Sequence, residues 1–219
     1  MRKTLGVLVV AGILSISAAS AATITETASF GPTATPFDGQ VLPIQQFDPS
    51  LGILNSIEFI VTASTSGDAT ITNNSGQDGF YKNTIITTTM TLFDPLGTAL
   101  VSAAPQFVDV SLFVPNGQTM NTGNIVGTPI TKNATISSGL GLYEGTGITD
   151  FTFTGSAIAS VFNGPDPYTI AESSTGSATV QVVYNFSVVP EPSTASLTAL
   201  AGFGLFGLAL LRRRWKASV

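Results

Sequence analysis

The sequence has neither cysteine nor histidine among its 219 residues. Without cysteine the chain can form no disulfide bond and has no thiol nucleophile, so its fold has to be stabilised by its core alone. Without histidine it can build neither a Ser-His-Asp triad nor a zinc site of the usual kind. The chemistry that stays available is that of carboxylates, or the binding of calcium through oxygen ligands.

Basic residues are also scarce between Thr23 and Val189. This region holds two of the eight lysines and arginines, Lys82 and Lys132, but 12 of the 13 acidic residues, so it carries a net charge of −10. Such a surface repels the phosphates of nucleic acids and anionic lipids. We therefore expect this protein not to bind nucleic acid.

The N-terminus has the three parts of a secretory signal peptide. Arg2 and Lys3 give it a positive start, an apolar stretch follows at 5–16, and small residues at 18–22 offer a cleavage site after Ala21 or Ala22. We predict that residues 1–22 form a signal peptide, which directs the chain to the Sec machinery and is removed by signal peptidase.

The C-terminus has the composition of a membrane anchor. Residues 195–211 are 17 residues without a charge, which as a transmembrane helix would span roughly 25 Å, at the short end of what crosses a bilayer. By the positive-inside rule the cationic cluster that follows stays in the cytoplasm, and everything before Pro190 lies outside. That cluster consists of Arg212, Arg213, Arg214 and Lys216. A buried core helix is the alternative for so short a stretch.

The tripeptide Pro190-Glu191-Pro192 stands just before this predicted helix. The order of tripeptide, apolar helix and arginine-rich end resembles the PEP-CTERM sorting signal of Gram-negative bacteria, and we assign residues 190–216 to this sorting and anchor segment. The resemblance implies that a membrane-embedded processing enzyme, exosortase, recognises the three residues and cuts nearby. The mature protein would then be released or transferred to the surface, often of cells that make exopolysaccharide. A rigid linker is the alternative, since two prolines stiffen a tether.

Residues 23–189 have the length of one domain and the pattern of successive β-strands. They are rich in Thr, Ser, Gly, Val, Ile and Phe, and apolar residues alternate with polar ones, as in half-buried strands. The predicted strands are 23–30, 56–63, 84–92, 106–113, 132–137, 150–161 and 177–188. Because each has one apolar face, we predict an all-β fold, an antiparallel β-sandwich of the jelly-roll type.

Clusters of turn-forming residues separate these segments. They are Pro36-Phe37-Asp38-Gly39, Ser66-Gly67-Asp68, Asn74-Ser75-Gly76, Pro115-Asn116-Gly117 and Asn163-Gly164-Pro165-Asp166-Pro167. We expect a chain reversal at each of them.

A short Phe-Asp-Pro sequence occurs twice, at 47–49 and 93–95, and a glycine follows each copy. We interpret it as a recurring turn rather than a ligand site, because Asp-Pro initiates turns and glycine permits a left-handed conformation. Residues 46–72, which contain the first copy, also resemble the opening of choice-anchor E proteins, which are exported domains with interchangeable anchors. This resemblance supports the fold class and implies no activity.

We predict an exported, non-catalytic protein of the cell surface or extracellular matrix, such as a biofilm component, with no cofactor and no metal. The sequence singles out no pair among its acidic residues as the two carboxylates that glycoside hydrolysis needs. Asp68 and Asp78 flank a turn, but they do not have the spacing of a known calcium loop. We therefore expect that this protein is not an enzyme.

The alternative function is that of a lectin-type carbohydrate-binding module that binds exopolysaccharide. Four aromatic residues lie near predicted turns and could present their rings to a sugar: Tyr81, Tyr143, Phe162 and Tyr168. Of these, Tyr143 and Tyr168 are our candidate glycan contacts. Packing against the core or at a sheet edge is the other possibility for such rings.

Overall fold

The computed structural model describes residues 20–189, most of which lie in β-strands. The strands are β1 (Ala21–Ala34), β2 (Phe37–Gln45), β3 (Ile53–Asn73), β4 (Gly79–Phe93), β5 (Ala99–Ala103), β6 (Gln106–Val114), β7 (Thr119–Asn121), β8 (Ile125–Val126), β9 (Ile130–Ile136), β10 (Ile148–Asn163) and β11 (Tyr168–Ser187). Single turns of 3₁₀ helix occur at Pro49–Leu51 and Leu140–Leu142. The predicted all-β class is confirmed.

The strands form two antiparallel sheets. The first sheet has the order β1-β11-β3, with β7, β8 and β9 paired one after another along the far side of β3. The second has the order β2-β10-β4, with β5 and β6 sharing the far side of β4. Since the buried sides of the strands in both sheets form common clusters, the two sheets pack face to face, as predicted for a sandwich.

Alternation along the strands places the predicted apolar faces in the core. On β3, the residues Ile57, Phe59, Val61 and Ala63 are all completely buried. On β11 the same is true of Val180, Val182 and Tyr184. Each large apolar side chain buried in this way contributes roughly 1.5–3 kcal/mol to folding, which is the stabilisation that a chain without disulfides depends on.

The turn predicted at Ser66-Gly67-Asp68 is wrong, because β3 continues through these residues without a break. Gly67 pairs with Ser174 of β11 on one side and with Ile125 of β8 on the other. A Cβ atom at this position would collide with the carbonyl oxygen of Ser173. The glycine therefore serves the close approach of two strands and not a chain reversal.

Both Phe-Asp-Pro sequences form turns, which confirms their interpretation. The Asp48 carboxylate accepts a hydrogen bond of 2.8 Å from the Ser50 N–H, and this bond lowers the pKa of Asp48. The Asp94 carboxylate accepts bonds from the N–H groups of Leu96 (2.9 Å) and Thr98 (2.7 Å). In both copies the aspartate is thus used to hold its own loop.

The predicted signal peptide, sorting tripeptide and C-terminal helix lie outside the described residues, apart from the end of the signal peptide. Strand β1 begins at Ala21, so the predicted cleavage after Ala21 or Ala22 falls at its first residues. Within residues 20–189, no helix has the length and apolar character needed to cross a membrane.

Replacing Gly67 by alanine should destabilise the sandwich by about 1–3 kcal/mol, because the new methyl group forces two paired strands apart. The measurement is urea unfolding of the full chain in detergent. Gly141→Ala is the matched control, since nothing lies within 4 Å of a Cβ there, and its effect should stay within about 0.5 kcal/mol. Equal stability of the two variants would contradict the close-approach explanation.

Candidate functional site

The sorting tripeptide follows directly on the last strand of the sandwich. Strand β11 ends at Ser187, and only Val188 and Val189 separate it from Pro190. Both valines are exposed. Two extended residues reach about 7 Å, so the tether between the folded body and the motif is short.

The end of β11 is held by its neighbouring strands. Asn185 pairs with Thr23 of β1 and with Ser56 of β3. Phe186 and Ser187 continue the ladder with β3, whereas their partners on β1 belong to the predicted signal peptide. Strand β11 is therefore paired with β3 up to the residue at which the tail begins. Its backbone hydrogen-bonding groups are used in the sheet, which opposes fraying toward the motif.

Aromatic packing fixes the same end of the strand. The rings of Phe186 and Tyr184 lie 5.0 and 5.9 Å from that of Phe47, measured between centroids. The Tyr184 hydroxyl donates a 2.8 Å hydrogen bond to the carbonyl oxygen of Gln45. Burial raises the pKa of Tyr184, so this hydroxyl keeps its proton and remains a donor well above neutral pH.

Tyr143, a predicted glycan contact, lies in the core, which corrects its predicted exposure. Only 2% of its surface is exposed. Its ring stacks on Phe151 with 5.9 Å between centroids and an interplanar angle of 19°, and it packs against Phe59 from another side. Periodicity does not reveal this burial, because Tyr143 lies in a loop after the 3₁₀ turn at 140–142 and loop residues have no alternation that marks a buried face. In this position the ring is not available to stack on a sugar.

Tyr168, the second predicted contact, is half-buried at the start of β11. Its ring lies edge-to-face against Tyr81, at 5.4 Å and 68°. Tyr81 is itself completely buried and donates a 3.1 Å hydrogen bond to the carbonyl oxygen of Pro165. The structure does not bring Tyr143 and Tyr168 together. Tyr143 packs on Phe59, which pairs with Val182 of β11. At the usual rise per residue, Val182 lies about 45 Å along the strand from Tyr168.

A different pair of aromatic rings is exposed on the second sheet. Phe80 of β4 and Phe113 of β6 are cross-strand partners, 55% and 43% exposed, with centroids 4.9 Å apart. Phe162 of β10, one of the four aromatics near turns, is 73% exposed. Phe80 is not among the contacts predicted from the sequence, although its position next to the buried Tyr81 in a strand indicates the opposite, outward face.

The two aspartates considered for calcium both hold loops or neighbouring strands. Asp68 accepts a 2.7 Å hydrogen bond from the side chain of Asn121, and Asp78 accepts one of 2.8 Å from the Asn116 N–H. In the part of the chain that the structure describes, no three acidic side chains come together in a group that could hold a metal ion.

Residues 188–214 match the family model of the PEP-CTERM protein-sorting motif. The match begins at the residue after the end of β11, and it confirms the resemblance found around the tripeptide at 190–192. The chain carries this motif, which marks an exported protein with a membrane-anchored precursor that is processed by exosortase.

A search among curated proteins finds no match for this chain. Solved structures with a partial likeness include the T13 viral particle of infectious bursal disease virus, with 16% identity over 86% of this chain and 45% of the viral chain, at a TM-score of 0.15. Others are a mud crab tombus-like virus (10% identity, 91% and 95% covered, TM-score 0.20) and a CocE/NonD family hydrolase from Staphylococcus aureus (6% identity, 78% and 33% covered, TM-score 0.20). Similarity at these TM-scores carries no argument about fold or function.

The stability of the protein should fall in alkaline solution, in part through Tyr143. Burial raises the pKa of Tyr143 from 10.0 to about 12, and the charge of Asp94 adds to this rise. As the pH rises past 10, the unfolded chain loses this proton first, so the free energy of unfolding decreases until about pH 12. Urea unfolding at several pH values measures this decrease, which should be smaller in Tyr143→Phe. Identical pH profiles of the variant and the natural chain would contradict the burial of this hydroxyl.

Proposed function

We propose that this chain is a non-catalytic protein of the cell surface or extracellular matrix, made as an anchored precursor and set free from its C-terminal segment by exosortase. The observation that carries the proposal is the sorting motif that begins immediately after the last strand of the body. A body that ends where the tail begins would remain complete after a cut at or beyond 190–192.

The proposed topology of the precursor follows from its two ends. Residues 1–22 lead the chain through the Sec machinery and are removed by signal peptidase. The body at 23–189 stays outside the inner membrane, residues 195–211 cross it, and Arg212, Arg213, Arg214 and Lys216 hold the end of the chain in the cytoplasm. The mature form is then found at the surface or outside the cell.

For the body we propose a jelly roll in particular. Strand order supports this arrangement, since the chain passes from one sheet to the other six times, at β1–β2, β2–β3, β3–β4, β6–β7, β9–β10 and β10–β11. Strands β5 and β6 can be counted as one interrupted strand, and so can β7, β8 and β9. Each sheet then has four strand positions. Two four-stranded sheets wound in this way are the plan of a jelly roll.

The hydrogen bonds that polar side chains make within the body support the non-catalytic role. The carboxylates of Asp48, Asp68, Asp78 and Asp94 accept hydrogen bonds from backbone or amide groups of their own loops or neighbouring strands. Hydroxyl pairs between the sheets, such as Thr65 of β3 with Thr88 of β4 in the interior at 2.7 Å, use hydroxyl groups in the same structural way. These hydrogen bonds stabilise the sandwich.

Replacing Pro190, Glu191 and Pro192 by alanines should leave export intact and stop maturation, because the processing enzyme then loses its recognition element. We expect the protein to stay in the inner membrane with its full C-terminal tail. Cell fractionation followed by mass spectrometry of the intact protein gives both the compartment and the two chain ends.

The body supplies a chemically matched control for this experiment. Asp166 and Pro167 also form an acid-proline pair, in the exposed loop between β10 and β11. Changing these two to alanine should leave maturation at its natural level. A shortened, extracellular product from the 190–192 variant would show that the tripeptide has no role in sorting.

The exposed Phe80–Phe113 pair supports a second candidate function, a lectin-type module that binds exopolysaccharide. Two adjacent rings on an open sheet face can stack on the apolar face of a sugar, whereas Tyr143 cannot. In this version the contact surface lies on the second sheet, and Tyr168 remains a predicted contact.

If this alternative holds, Phe80→Ala and Phe113→Ala together should abolish the retention of the protein on purified exopolysaccharide of the producing cell. Leu96→Ala is the matched control, because Leu96 is an exposed apolar residue on a turn of the same sheet. Retention unchanged by loss of both rings would exclude this contact surface. Tyr168→Ala, measured in the same assay, tests the remaining contact predicted from the sequence.

A further inference from the structure

Strand β10 is paired on both sides for only part of its length. Its first half lies between β2 and β4, but the ladder with β2 ends where Gly155 faces Phe37. From Ser156 to Asn163 the strand continues along β4 alone. Among residues 20–189, no strand pairs with the other side of this segment, so the backbone N–H and C=O groups that point away from β4 form a free sheet edge.

The other free edges of the sandwich contain residues that oppose pairing with another chain. Charged side chains, prolines and short length are the usual means by which a sheet edge avoids association. Strand β1 contains Glu26 and Pro32, and β2 contains Asp38 and Pro43. Strands β5, β7 and β8 are no longer than five residues. Charged residues also occur on other edges: Asp109 in β6, Lys132 in β9 and Glu172 in the part of β11 that pairs with β3 but not with β1.

The segment Ser156–Asn163 has none of these features. Its sequence, Ser-Ala-Ile-Ala-Ser-Val-Phe-Asn, has no charge and no proline, and it pairs regularly with β4 up to Val161. On its outward face Ile158 is 72% exposed and Phe162 is 73% exposed. An uncharged edge with regular pairing and exposed apolar residues is a template for the addition of another strand.

We propose that two copies of this chain associate through these segments, which pair in antiparallel orientation about a twofold axis and join their second sheets into one. The partner is a second copy because the segment is complementary to itself. With Ser160 on the axis, Ile158 of each copy stands directly opposite Phe162 of the other. On the inner face, Ala159 stands opposite Val161 of the other copy. Pairs of an aromatic and a β-branched residue are among the favourable cross-strand neighbours.

Charge is a second reason why copies meet at this segment. Each body carries a net charge of −10 between Thr23 and Val189, so two copies repel each other over most of their surfaces. An edge of eight residues without a charge is a place where backbone hydrogen bonds form without bringing like charges face to face. This association involves the body alone and does not depend on how the tail is processed.

Because the chain has no natural cysteine, single cysteines can test this arrangement in the full chain, in cells that export it. Ser160→Cys places two thiols opposite each other on the axis, at the Cα separation of roughly 4.5–5.5 Å that a disulfide requires. After brief oxidation with copper phenanthroline, most of this variant should run as a covalent dimer on a non-reducing gel. Thr27→Cys, an exposed residue on the β1 edge next to Glu26, is the matched control and should stay monomeric.

Two further variants separate specific pairing from random collision. Ile158→Lys, added to Ser160→Cys, should abolish the covalent dimer, because it places a charge against Phe162 of the second copy. A separate variant that keeps Ser160 but combines Ile158→Cys with Phe162→Cys should also cross-link, since these two positions face each other across the axis. The proposal is overturned if Ser160→Cys stays monomeric, or if Thr27→Cys or the Ile158→Lys variant cross-links equally well.

Discussion

The antiparallel ladder between β3 and β11 is the interaction on which the rest of the structure depends. Every residue of β11, from Tyr168 to Ser187, has a partner on β3. On its other side β11 pairs with β1. Strands β3 and β11 supply ten of the 21 buried residues of the larger core cluster, and β1 packs partly buried apolar side chains against it. Because β11 is also the last strand before the tail, the body cannot be completed until the end of its sequence is in place. Folding of this domain is therefore a matter of contacts between distant parts of the chain.

This arrangement places a limit on how the sorting motif can be presented. Two residues separate Ser187, which is paired with Ile53 of β3, from Pro190. An enzyme that acts at the motif thus works within about 7 Å of chain from a strand that is hydrogen-bonded and packed against Phe47. The folded body and the tail that carries the sorting motif are adjacent in sequence.

Local periodicity was sufficient to predict the all-β class, the two-sheet arrangement and the buried faces at Ile57–Ala63 and Val180–Phe186, because each depends on a period of two. Periodicity failed for Gly67, because the close approach that requires a glycine there is made by a strand far away in the sequence. It also failed for Tyr143, because a loop carries this residue into the core. Periodicity could not reveal the free edge either, because that edge depends on strand pairing. Strand β2 pairs with only the first half of β10, so one side of Ser156–Asn163 has no partner. The sorting motif could be found from sequence alone because it is a continuous segment that depends on no tertiary contact.

The surface of the sandwich satisfies many of its polar groups with few charged residues. Only 10% of the residues are charged, and on the outer face of the first sheet hydroxyl groups bond across the strands, as between Ser64 and Ser177 (2.8 Å) and Thr62 and Thr131 (2.9 Å). Such pairs satisfy polar groups within the molecule but exert no repulsion at a distance. Separation of copies then rests on the acidic residues, and these are spread over the loops and most edges. Acidic residues are missing from Ser156–Asn163, the half of β10 that has a free edge. There the backbone N–H and C=O groups of that edge decide association.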